Sequence, residues 1–200
     1  ETLKNIWTID ELKNRILITL FFLIIYRLAA QVVLPGVDYN IISEAQIAGG
    51  GGLLGLLNAF TGGAFANASV VALGIMPYIS ASIVVQLMGV ALPYLQKLQK
   101  EGESGRKKIT QITRWLTIAI CVVQAPAYLY GLGALGVPDA AFVLGKGPFF
   151  IIPSVIILVT GCIFAMWLGE KITDRGIGNG ISLLITVGII ASLPLSFTQE

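Results

Sequence analysis

The chain has 200 residues, 56% hydrophobic and 12% charged, too apolar to hide its surface in a water-soluble globule of this size, so it reads as an integral membrane protein. The net charge of +2 says less than where the charges sit. The absence of histidine removes serine–histidine hydrolysis, histidine zinc sites and ordinary haem ligation.

Residues 1–15 form a cytoplasmic amphipathic segment. Ile6, Ile9 and Leu12 recur at helical spacing with Lys4, Lys13 and Arg15 opposite, as in a helix lying on a membrane surface. Residues 16–34 are the first span. Arg27 sits inside it, where a charge costs about 2.5–3.5 kcal/mol on insertion scales. Its side chain faces protein or water, or else it snorkels toward the far interface. LPGVDYN at 34–40 is a turn, because Pro-Gly stops a helix. Four glycines at 49–52 form a tether, and the apolar bursts after them are too short to span. Residues 53–67 therefore read either as an external amphipathic loop or as a re-entrant half-helix enclosed by protein.

The uncharged stretch 70–93 organises the rest. Gly74 permits a sharp change of direction, and Pro77 suits the first turn of a helix. A second span over 75–92 follows, about 27 Å long and close to a bilayer core. Ile75 and Ile79 stack on one of its faces; Tyr78, Ser82 and Gln86 stack on another. Two readings stay open: helix-to-helix packing through small and polar residues, or a pore lining.

Residues 94–108 read as a cytoplasmic loop. Between Lys97 and Arg114 there are six basic residues, with Glu101 and Glu103 between them and glycines at the tip. Topology alone explains the excess of positive charge; a docking site for a cytosolic partner at Arg106, Lys107 and Lys108 would also explain its compact shape. Residues 109–132 are the third span, with Gln124 and Pro126 inside. A Gly/Pro-rich external loop follows. Residues 149–168 are the fourth span, with Pro153 in its first turn. GIGNG at 176–180 lacks the preceding strand and the glycine spacing of a phosphate loop, and reads as a turn in which Asn179 caps the next helix. Residues 181–197 are the fifth span, with Pro194 marking its end. Cys121 and Cys162 lie in separate apolar runs and read as small buried hydrophobes, with no metal pattern. Eleven of the 13 Lys and Arg fall in the N-terminus, the 94–114 region or the 169–180 turn. Five spans with the N-terminus inside put all three regions in the cytoplasm. The chain starts at Glu1 and stops just past an apolar run, which suggests a segment of a longer protein.

LPGVD, FTGGAFANASVVALGIMPYISASIVVQL, KEGESGRKKITQITR and MWLGEKITDRGIGNGIS occur in this order. Together they resemble the SecY family, central subunits of the bacterial protein translocase, over nearly all of the chain. The resemblance implies an all-α membrane fold: five transmembrane helices forming one half of an inverted-repeat, ten-helix channel, with a re-entrant plug half-helix over 53–67. It implies pore-ring positions at Ile75, Ile79 and Ile185, and a plug including Phe60, Gly62, Gly63, Phe65 and Asn67. Ser82, Gln86 and Gln124 would lie on helices of a lateral gate. The implied partners are small Sec subunits (SecE and SecG), a SecA motor or a ribosome, a signal-sequence-bearing polypeptide, membrane lipid, and the C-terminal half of the same protein. No cofactor, metal or catalytic residue is implied. The alternative is half of a small-solute secondary transporter, which would normally carry an acidic ion ligand within a span. No Asp or Glu lies well inside any span here.

Overall fold

The computed structural model describes residues 10–38, 61–134, 141–142, 145 and 147–198. Residues 1–9, with most of the expected surface helix, and Phe60, with the first part of the expected plug, lie outside the described residues. Six helices are described: α1 (Asp10–Gln31), α2 (Met76–Ala91), α3 (Pro93–Lys100), α4 (Glu103–Ala134), α5 (Pro148–Arg175) and α6 (Gly180–Thr198). α2 packs on α4, α4 on α5, and α5 on α1 and α6. Among the described residues, β pairing is limited to two isolated antiparallel bridges, Val33 with Ser69 and Val37 with Phe142.

Two helices, α4 (over Glu103–Leu132) and α5, are long and apolar enough by themselves to cross a bilayer. α2 and α3 make a third if counted as one span bent by 100°. α1 carries Asp10, Glu11, Lys13, Arg15 and Arg27 along its 22 residues, which dilutes its hydropathy. The outer surface is apolar. Leu17, Phe21, Ile24 and Leu28 form one stripe on α1, each between 48% and 63% exposed. Ile83, Leu87 and Val90 do the same on α2. In water such stripes would drive aggregation; against hydrocarbon they cost nothing.

α2 opens where Gly74 and Pro77 suggest. Gly74 has φ +54, a left-handed turn that a side chain rarely adopts. Ile75 is the N-cap, and Pro77 sits in the first turn, where its missing N–H leaves no bond unmade. At the other end Pro93 forces Leu92 into an extended conformation (ψ 120) and then opens α3. The region read as a loop is therefore a helical hairpin: α3, a two-residue turn at Glu101 and Gly102, and the start of α4.

α5 begins at Pro148, one residue earlier than expected, and Pro153 stands inside the helix just past its first turn. α6 runs through Pro194 to Thr198 and does not end there. A proline removes one N–H and crowds the preceding turn, but a long helix can absorb it, as α4 does at Pro126. Asn179 caps α6 as its spacing suggests: its Oδ1 accepts from the backbone N–H groups of Ile181 (3.1 Å) and Ser182 (3.4 Å). Cys121 and Cys162 are both free and buried.

The two larger buried clusters draw on different helices. One gathers Leu34, Ala68, Ala72 and Leu73 with Leu129 and Leu132 of α4 and Phe150 and Leu158 of α5. The other joins Tyr26 of α1, Ile75, Leu168 and Ile172 of α5, and Leu184 of α6. The chain between Thr61 and Ile75 runs past both as a series of turns.

Candidate functional site

The 61–75 segment has almost no regular helix; turn bonds within it satisfy part of its backbone, and the remaining groups need outside partners. On one side it pairs with the chain that leaves α1. Leu34 N–H donates to the Ala68 carbonyl (2.9 Å), and Val70 N–H to the Val32 carbonyl (2.8 Å). Within the segment, Phe65 N–H donates to Thr61 Oγ1 at 3.1 Å. Two side chains reach in from neighbouring helices. Arg27 Nη1 of α1 donates to the Gly62 carbonyl (3.0 Å), and Tyr128 Oη of α4 donates to the Phe65 carbonyl (2.6 Å). The Tyr128 ring also meets Phe65 edge to face, with centroids 4.9 Å apart. Arg27 therefore faces protein, and the snorkelling alternative falls away.

A cavity of about 250 Å³ lies where this segment meets α1, α2 and α6. Tyr26, Thr61, Ile75, Met76, Ile79 and Ile185 line it. Ile75 and Ile79 are one helical turn apart, with Ile79 N–H bonded to the Ile75 carbonyl at 3.0 Å. Ile75 is 5% exposed; Ile79 and Ile185 are partly buried. Residues 110 positions apart in sequence thus share one apolar wall. Helical spacing pairs Ile75 with Ile79 but is silent about Ile185, Tyr26 and Thr61, because contacts between helices leave no period within one of them.

Gly62, Gly63, Phe65 and Asn67 all lie in the turn segment, with Gly62 (φ +62) and Gly63 (φ +90) in left-handed conformations. Ser82 and Gln86 stand one turn apart on α2, and Gln86 Nε2 donates to Ser82 Oγ at 3.1 Å. Gln124 is exposed on α4 beside exposed Val122 and Val123. Among the described residues, no hydrogen bond joins it to the Ser82–Gln86 pair.

At the α3–α4 turn, Arg106, Lys107 and Lys108 are all exposed on the first turns of α4. Lys107 pairs with Glu103 (3.2 Å) and Lys108 with Glu101 (3.7 Å), so the acidic tip partly neutralises its own basic run. A further pair went unread in the sequence: Arg114 of α4 grips both carboxylate oxygens of Glu170 on α5, with Nε 2.8 Å from Oε1. Its partners are 56 positions apart, and nothing in the spacing of either stretch pairs one with the other.

The SecY family model matches residues 69–199. The chain is 45% identical over 189 residues to the protein translocase subunit SecY of Haemophilus influenzae, covering 94% of this chain and 42% of that protein. To the SecY subunit of Pseudomonas aeruginosa it is 46% identical over 192 residues, covering 96% and 42%. To that of Escherichia coli K12 it is 44% identical over 186 residues, covering 93% and 42%. The chain thus spans less than half the length of these curated relatives. Among solved structures, Sec61 in a canine ribosome–channel complex from the endoplasmic reticulum matches with a TM-score of 0.55 at 20% identity, over 88% of this chain and 36% of that one. A chain described as a protein-conducting channel matches equally well. At that identity the structural likeness speaks for the fold, while the family model covers most of the chain and the curated relatives nearly all of it: the chain belongs to the SecY family.

Proposed function

We propose that this chain supplies the N-terminal half of a protein-conducting channel in the bacterial cytoplasmic membrane. The channel passes unfolded, signal-sequence-bearing polypeptides across the membrane and releases apolar segments sideways into lipid. The supporting observation is the convergence of Ile75, Ile79 and Ile185 on one apolar cavity that Thr61 also lines. In this reading the isoleucines are half of a pore collar, and residues 61–67 are the described part of a plug resting against it. Five spans cross the membrane with the N-terminus inside, which puts the α3–α4 hairpin in the cytoplasm.

The chemistry of the site follows from its task. A pore for any unfolded chain must bind no side chain strongly and must still hold back ions. A narrow aliphatic collar meets both needs: it offers no ligand to a peptide, and it expels the water that ions require. Sideways release needs a seam that opens for apolar segments. A signal sequence has about 7–15 apolar residues. At roughly −0.3 to −0.6 kcal/mol each, ten of them gain on the order of −3 to −6 kcal/mol on reaching lipid. A few polar side chains along such a seam, Ser82 and Gln86 of α2 among them, make a closure weak enough for this gain to open. Gln124 of α4 belongs to the same gate. The partners are the small subunits SecE and SecG, with SecA or a ribosome at Arg106, Lys107 and Lys108. The hairpin's intramolecular ion pairs are exposed, so a partner's acidic groups can exchange with them at small cost.

The test is ionic conductance of the reconstituted full-length channel. Ile75→Ser with Ile79→Ser wets the collar, and a leak is expected, larger once residues 61–67 are also deleted. A double-serine collar that stays as tight as wild type without residues 61–67 would reduce these isoleucines to ordinary packing.

A further inference from the structure

We propose that Arg27 is a latch that holds the 61–67 segment in its closed seat, and that it is released by water; this rests on the plug reading above. The guanidinium donates from α1 to the Gly62 carbonyl at 3.0 Å. Gly62 is wedged at that point: a Cβ there would overlap Arg27 Nη1 and come within 2.9 Å of Gly188 Cα on α6. Its φ of +62 also excludes most side chains. α1, the segment and α6 therefore meet at Gly62. The meeting point is the rim of the isoleucine cavity, since Tyr26 and Thr61, the chain neighbours of Arg27 and Gly62, line that cavity.

Two liabilities cancel there. A guanidinium at membrane depth needs a partner, and among the described residues Arg27 forms no ion pair. A part-buried carbonyl in a run of turns, beside an apolar cavity, needs a donor. When the segment is seated, each satisfies the other; when it leaves a dry pore, both lose. A charge-assisted bond is strong in such a setting and weak once water can solvate both ends. The latch therefore favours closure while the collar is dry and lets go when an entering polypeptide brings water into the pore.

Resting conductance of the full-length channel in planar bilayers tests this, with Arg27→Met, Arg27→Lys, Gly62→Ala and a deletion of residues 61–67. Methionine keeps an unbranched stem and eases membrane insertion, so a leak in Arg27→Met does not come from failed insertion. Arg27→Met is expected to raise the resting open probability about tenfold. Arg27→Lys, which keeps one charged donor, should fall between it and wild type. Gly62→Ala should match Arg27→Met by pushing the guanidinium away. Arg27→Met should add nothing to the deletion, because it acts through the segment. If Arg27→Met is tight while the deletion leaks, the latch is wrong and the plug reading stands. If the two leaks add, Arg27 acts on the ion path directly and the latch is wrong. A tight deletion channel would overturn the plug reading and the latch with it.

Discussion

The α4–α5 pair and the 61–75 segment share one core, but they are held by opposite means. Inside α4 and α5 the helices satisfy their own backbone groups, and the side chains between them have only to fill space. Cys121, Leu129, Leu158 and Cys162 do so at 3% exposure or less. The segment has less self-sufficiency. Turn bonds satisfy part of its backbone from within, and the Gly62, Phe65 and Ala68 carbonyls and the Val70 N–H take partners one at a time from Arg27, Tyr128, Leu34 and Val32. Irregular backbone survives at membrane depth only where protein supplies each bond. A change of volume should therefore damage the first region, and a lost donor the second.

The largest effect is expected from Leu158→Ala in α5. Leu158 is fully buried against Leu129, Leu132 and the 68–73 chain. Removing its isobutyl end should cost about 2–5 kcal/mol of stability, read by unfolding of the full-length protein in detergent. Resting conductance should stay at the wild-type level. A leaky channel of normal stability would erase the distinction between the two regions.

A smaller effect is expected from Tyr128→Phe. The ring keeps its edge-to-face contact with Phe65, while the Phe65 carbonyl loses its short side-chain donor and keeps only the long bond from Ala68 N–H (3.4 Å). The local loss should be about 1–3 kcal/mol. Amide hydrogen exchange should quicken over residues 64–70 and stay unchanged in the body of α4. Faster exchange along α4 as well would mean that tyrosine supports packing more than it holds the segment.

The smallest effect sharpens the rule from the other side. Ser69 Oγ is buried without a hydrogen-bond partner among the described residues. Ser69→Ala should change stability by less than about 0.5 kcal/mol, because the serine hydroxyl is desolvated for no return. A measured loss above about 1 kcal/mol would give Ser69 a partner and place its hydroxyl with the donors that hold the segment.

Much of the backbone plan can be read in the residues. Gly74 and Pro77 mark the start of α2, Asn179 marks the start of α6, and the burial of both cysteines follows from their apolar runs. These features are local: a φ, a missing N–H and a cap act within one turn of chain. The hairpin at 93–108 was harder to read, because Pro93 can either end a helix or begin one. Its neighbours Leu95 and Leu98, buried in the structure, decide for a second helix.

By itself the sequence determined the class of solvent, the places where helices start, and the pairing of Ile75 with Ile79, since hydropathy and helical period are properties of neighbouring residues. Only the tertiary structure decided what Arg27 binds, that Ile185 shares a wall with Ile75, and that Arg114 meets Glu170. Each of those contacts joins elements 35 or more positions apart. Their geometry depends on how whole helices cross, and a charge inside an apolar run says that a partner is needed without saying which one.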